Sequence, residues 1–242
     1  MKQKVLIITC LIFSLSIHTQ TYERGGFSNI GTGNSSVVNY TNIFGIKGHR
    51  YYTDSWTNGT LIIKDSIYSG QAKLQYDLVV GDIIIMNEKN KGEGFRIIDS
   101  TLTAFQIYNV KNNTSDSFIR VKQNAFLENP DRNYFYDPFQ NKPEKLILID
   151  YRKKLFEPST IISSYTSTSQ DQEYRKSTRY YILNKDQKYV RVSLTKKSIL
   201  KALNADKGLK KYIKTNKIDV KNLDQLYNLL IHHHSLKRKK KA

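Results

Sequence analysis

The chain has 242 residues, one cysteine, 39% hydrophobic and 12% aromatic residues, and a formal net charge of +18 at pH 7. That apolar content excludes wholesale disorder, and the length suits one β-rich domain or two small ones. A lone cysteine excludes an internal disulfide framework and a zinc or iron–sulfur site built from several cysteines.

At the amino end, Met1-Lys2-Gln3-Lys4 places two cations ahead of an apolar run over residues 5–17, followed by Thr19 and Gln20. A basic n-region, a short apolar h-region and a weak small-residue cleavage site predict a signal peptide over residues 1–20. The run falls short of the roughly 20 apolar residues that span a bilayer. Cys10 lies inside it and is followed by Leu11-Ile12-Phe13, so it reads as part of the signal and not as a lipoprotein cysteine. The expected destination is the periplasm or the exterior, and the expected mature chain has no thiol.

Residues 21–48, rich in Gly, Asn and Ser, read as a flexible N-terminal segment. From 49 to 194 the pattern predicts an antiparallel β region. Asn58-Gly59 reads as a turn, and strands are expected at 60–63, 71–80, 82–87, 94–98 and 101–110, punctuated by Gly81-Asp82 and Lys91-Gly92. Further strands are expected at 117–121 and 146–151. Asn129-Pro130-Asp131 and Asp137-Pro138 mark loops between them, 159–172 reads as a long polar loop, and 180–193 forms a final hairpin. Short strands at this spacing argue for a sandwich or an open barrel-like sheet.

After Thr195 the apolar period changes to helical: Ile199, Leu200 and Leu203, then Leu209, Tyr212 and Ile213, then Val220, Leu223, Leu226, Tyr227, Leu230 and Ile231. Two or three short helices are therefore expected over 195–235, with a basic tail at 236–242. The predicted class is α+β.

The charge is concentrated at this end. From Glu173 onward there are twenty Lys or Arg against five acids. Lys210, Lys211 and Lys214, with Lys237, Arg238, Lys239, Lys240 and Lys241, are the candidate residues for binding an anionic surface, either an envelope polymer or a membrane. A merely solvated surface would look similar. The exposed-aromatic candidate is the loop bearing Tyr134, Phe135, Tyr136 and Phe139, which could stack on sugars or fold back on the sheet.

The chain resembles exported, β-rich proteins common in Bacteroidota that carry a signal peptide and a Lys-rich helical C-terminus. Three stretches carry the similarity: Lys47-Gly48-His49-Arg50-Tyr51-Tyr52 through Asn58-Gly59-Thr60-Leu61; Ala72-Lys73-Leu74-Gln75-Tyr76-Asp77; and Tyr180-Tyr181-Ile182-Leu183 through Lys196-Lys197-Ser198-Ile199-Leu200 and Lys210-Lys211-Tyr212-Ile213 to Leu226-Tyr227-Asn228-Leu229-Leu230. The resemblance implies export and the order of sheet then helices, and supplies no catalytic residue. His232-His233-His234 and the basic tail depart from the family pattern.

Chemistry-bearing motifs are sparse. Adjacent histidines on a helix point about 100° apart, so His232, His233 and His234 read as a helix C-terminus and not as a metal site. His49 is the one histidine a serine triad could use, and no Gly-x-Ser-x-Gly, His-Glu-x-x-His or phosphate loop accompanies it. Carboxylate pairs such as Glu88 with Glu93 and Asp65 with Asp77 cannot be placed together from sequence. No catalytic, cofactor-binding or metal-binding residue is assigned. The expectation is a non-enzymatic, envelope-associated module with a basic C-terminal face. A hydrolase of an envelope polymer is the alternative, and incidental nucleic-acid binding by charge a third reading that conflicts with export.

Overall fold

Alternating apolar side chains on both arms of successive hairpins build one sheet, which the C-terminal helices cover on one face. The structure, a computed structural model, describes residues 37–39, 46–63, 66–89, 93–97, 101–110, 112–157 and 172–241. The expected signal peptide, the Lys91-Gly92 turn, Asp65 and nearly all of the 159–172 loop lie outside the described residues.

The strands are β1 (Val37–Asn39), β2 (Ile46–Lys47), β3 (Thr57–Ile63), β4 (Ser66–Tyr76), β5 (Ile83–Met86), β6 (Glu93–Ile97), β7 (Leu102–Asn109), β8 (Thr114–Arg120), β9 (Tyr134–Tyr136), β10 (Ile147–Phe156), β11 (Gln172–Leu183) and β12 (Tyr189–Val192). They pair in the order β1-β6-β5-β4-β3-β7-β8-β9-β10-β11-β12, and β2 adds in parallel beside β11. Every other pairing is antiparallel. The helices are α1 (Lys196–Ala202), α2 (Lys207–Thr215) and α3 (Leu223–Lys241). An antiparallel sheet followed by three helices is the α+β class that the sequence predicts.

The sheet is open along its pairing path but strongly curled. Strands β4 and β8 lie three steps apart, about 14 Å in a flat sheet at ~4.8 Å per step. Yet the rings of Tyr76 on β4 and Phe118 on β8 meet at 5.1 Å, and both pack on Phe105 of β7. The curl brings β10 back to the end of β4, where the Lys153 amide donates to the Leu78 carbonyl at 3.0 Å. The buried Lys153 ammonium donates to the His49 and Tyr51 carbonyls at 2.7 and 2.6 Å, fastening the segment before β3 to the same seam.

Strand β10 is covered on both faces because its side chains alternate. Ile147, with Ile182 of β11 and Val192 of β12, faces a core completed by Ile199, Leu203, Leu209, Ile213, Leu226 and Leu230 of the helical region. Leu148 and Tyr181 face the other way, against Phe126, Phe135 and Tyr189. The helices start where polar caps permit: the Thr195 side chain accepts from the Ser198 amide, and Asp206 accepts from Leu209.

Four local readings change. Asn58-Gly59 is not a turn but lies within β3, at a register irregularity. A Cβ at Gly59 would sit 2.3 Å from Leu74 Cδ1 and 2.6 Å from the Gln106 carbonyl, so this glycine serves close strand packing. Tyr134–Tyr136 is a strand between β8 and β10, although prolines on both sides suggested a loop. Strands β1 and β2 already belong to the sheet within the stretch read as flexible. Helix α3 runs to Lys241, so the expected tail continues the helix and the three histidines lie well inside it.

The packing at Gly59 makes Gly59→Ala a sensitive substitution. Its expected cost is about 2 kcal/mol, because backbone and buried Leu74 must both move. In urea titration the midpoint should fall with an unchanged slope, and an unchanged midpoint would remove the close-packing account.

Candidate functional site

The helical region carries the most one-sided electrostatics. Between residues 191 and 221, ten Lys or Arg side chains are all exposed, against two acids, Asp206 and Asp219. Both acids are engaged by backbone: Asp206 accepts from the Leu209 amide at 2.8 Å and Asp219 from Lys221 at 3.0 Å. Among the described residues none of those ten cations forms an ion pair. On α2, Lys207, Lys210, Lys211 and Lys214 fall at i, i+3, i+4 and i+7, one stripe about 10 Å long. Leu209 and Ile213 on the opposite face are buried and hold that stripe outward. Helix α3 carries Lys237, Arg238, Lys239, Lys240 and Lys241 in its last turns. Of the candidate anion-binding residues, Lys210, Lys211 and Lys214 are thus exposed together, and the remaining five share one helical backbone.

A cleft of about 730 Å³ opens between α3, the start of β10 and the β11–β12 turn. Leu146, Leu183, Tyr189 and Ile231 supply its apolar lining, with Glu144, Lys185, Asp186 and His234 among its polar residues. Its walls are tied to one another. The His234 ring contacts the Leu183 carbonyl at 3.2 Å, Tyr227 donates to the Glu144 carbonyl at 3.1 Å, and Tyr189 donates to the Lys145 carbonyl at 2.5 Å. Burial, with Asp137 nearby, pushes the Tyr189 phenol up to about 12, so it remains a donor at neutral pH. Lys145 itself pairs with the buried Asp137 at 2.7 Å and donates to the Gln140 and Lys142 carbonyls, pinning the 137–145 loop. Sequence reasoning missed this cleft. Its walls come from three separated stretches, joined where the Leu183 amide donates to the Leu146 carbonyl.

The other candidates take different places. Tyr134 and Phe135 are buried, Tyr136 and Phe139 half-buried. Tyr134 packs on Phe105, Phe135 on Phe126 and Tyr181, Tyr136 on Phe118 and Tyr151, and Phe139 on Tyr227. These rings join the layers and do not form an exposed loop. His49 has both ring nitrogens in use, Nδ1 facing the Tyr51 amide and Nε2 the Asp54 carboxylate at 3.0 Å. Asp77 is engaged by Arg50 at 2.5 Å and by the Val79 amide. His232 stacks on Tyr212 with ring centroids 3.8 Å apart. Among the described residues no group of three or more His, Cys, Asp or Glu is placed to hold a metal ion. No described helix is long and apolar enough to cross a membrane.

The densest charge cluster sits on β10 and the loop before β9. Arg152 reaches the buried Asp150 at 2.6 Å and takes exposed Asp131 in a two-point pair. The hydrogen bonds from Arg152 hold the Asp131 carboxyl well below its ordinary range. Burial pushes Asp150 up, against the pull of Arg152. Arg132 donates to the Leu78 and Val79 carbonyls and so fastens the turn after β4 to the same region. This cluster fastens the seam of the curled sheet.

Compared with protein-family models, curated proteins and solved structures, the chain matches none.

Removing Arg152 should leave Asp150 buried and unpaired. Arg152→Met is expected to cost about 3 kcal/mol, and Asp131→Asn under about 1 kcal/mol because that carboxylate is mostly in water. A buried acid with a raised pKa is stabilising below its unfolded value of about 3.9 and loses that contribution as pH rises. Arg152→Met should therefore lose further stability between acid and neutral pH, read by denaturant titration at several pH values. Equal costs for the two variants would refute the assignment.

Proposed function

We propose that this protein is an exported, non-enzymatic module that attaches to an anionic surface of the cell envelope through its C-terminal helices. The observation that carries the reading is the set of exposed cations between residues 191 and 221, unpaired among the described residues, whose two nearby acids cap backbone amides. An unneutralised stripe attracts multivalent anions at long range and is screened by salt, with a Debye length of about 8 Å at 0.15 M. The basic leader and apolar run at residues 1–17 support a compartment in which such surfaces are the available partners.

The test is retention of the protein on isolated envelope fractions across a salt series. Wild type should bind at low salt and be released as ionic strength rises. Replacing Lys207, Lys210, Lys211 and Lys214 together by Gln should weaken retention at least about tenfold, since each cation near an anionic surface contributes on the order of 1 kcal/mol. The four side chains are exposed and make no ion pair among the described residues, so the variant should fold normally. Salt-independent retention, or retention indifferent to the substitutions, would sink the proposal.

A further inference from the structure

We propose that the lysine stripe of α2 is a track for a linear, hydrated polyanion, a polymer with a negative group on each repeat, and not a docking face for a lipid bilayer. This rests on the anionic-surface reading above and narrows the surface to a polymer strand.

What accompanies the cations carries the inference. A protein face that enters a bilayer sets large apolar side chains close to its Lys and Arg, so that these enter the acyl boundary while the charges hold the headgroups. Between residues 191 and 221 no large apolar side chain is exposed. Ile199, Leu203, Leu209, Ile213, Ile218 and Val220 are buried, and Leu194, Leu200 and Tyr212 pack against the same core. Ile231, an exposed apolar residue of the helical layer, lies outside this stretch, on α3. The side chains exposed among the cations are polar ones such as Asn204, Thr215 and Asn216. This face stays in water when it binds.

The kind of cation points the same way. Nine of the ten are lysines, with Arg191 the exception. The planar fork of an arginine grips one phosphate at two points, whereas lysine is a compact, strongly hydrated point charge. A lysine face suits repeated charges held loosely, not one headgroup held in a fixed geometry. Along α2, Lys210, Lys211 and Lys214 stand about 4.5, 6 and 10.5 Å of axial rise beyond Lys207, all within about 100° of arc. The row is long in one direction and narrow in the other, the proportions of a strand. Helix α2 contains no acid, and its cap Asp206 is engaged by the Leu209 amide. Successive groups of a flexible polymer can therefore settle against successive lysines.

The experiment titrates two full-chain proteins over a salt series, wild type and a variant with Lys207→Gln, Lys210→Gln, Lys211→Gln and Lys214→Gln. The probes are polyphosphate and alginate, whose charges sit on phosphate and on carboxylate, and mixed phosphatidylcholine–phosphatidylglycerol vesicles at the same concentration of anionic groups. Wild type should bind both polymers more tightly than the vesicles. For the polymers, the plot of log affinity against log salt should be about 3 units shallower in the variant, since each cation on a single strand contributes about 0.7. Vesicles bound as tightly as the polymers, or more tightly, would overturn the polymer assignment while the anionic-surface reading stands. An unchanged salt slope in the variant would overturn the α2 track. Binding to neither polymers nor vesicles would overturn both readings.

Discussion

The ladder between β10 and β11 is the constraint on which both layers of this protein rest. Ten residues of β10 pair in continuous register with β11, from Ile147 opposite Ile182 to Phe156 opposite Glu173. Because alternate side chains of a strand face opposite ways, one ladder serves two cores. Ile147 and Ile182 support the helices, and Leu148 and Tyr181 support the aromatic cluster around Phe126 and Phe135. A one-residue slip would exchange these sets and place Asp150 and Arg152 beneath the helices. The same strand sends Lys153 to the seam with β4 and follows directly on Leu146, in the wall of the cleft.

Charge is sorted along this frame, and the sorting produces the basic face. In the sheet region five acids are spent on cationic partners: Asp77 on Arg50, Asp82 on Arg96, Asp137 on Lys145, and Asp131 and Asp150 on Arg152. Several of these are buried, where an unpaired charge is expensive, so pairing there is demanded by desolvation. The helices contribute one narrow apolar stripe each and need no buried charge. The lysines between residues 196 and 221 are exposed, Asp206 caps α2, and Asp219 accepts from the Lys221 amide. The net charge of +18 is therefore a local property of the C-terminal layer more than an average over the molecule.

How much of this was legible in the sequence depended on whether the signal was local. The helical stripes at Ile199 to Leu203 and Leu209 to Ile213, the Thr195 cap, the Gly81 turn and the last hairpin are short-range patterns, and they read correctly. Asn58-Gly59 carries the composition of a hairpin turn, but a glycine needed for close packing across β3 looks the same. Tyr134–Tyr136 is only three residues long between prolines, too short for an alternation to show, and its place is set by β8 and β10 on either side. The parallel addition of β2 to β11 joins residues about 125 apart and has no local signature. The lysine stripe was visible at helical spacing. The cleft was not, because Glu144, Asp186 and His234 meet only through the β10–β11 register and the path of α3.

The same distinction bears on how the titrating groups should be read. Strongly shifted groups often mark active sites, and this chain has many: Tyr52, Tyr76, Tyr136, Tyr151 and Tyr189 are all pushed up, each chiefly by burial. Their geometry argues for architecture. Tyr52 donates to Asp116 at 2.8 Å, Tyr76 to the Tyr134 carbonyl and Tyr189 to the Lys145 carbonyl. A phenol suits these places because its ring fills a curled sheet while its hydroxyl satisfies a backbone carbonyl or a carboxylate that would otherwise be stranded. The abundance of tyrosine, 17 residues against 10 phenylalanines, follows from that need. With these phenols committed to the fold, the exposed cations between residues 191 and 221 stand out as a run without an ion pair among the described residues.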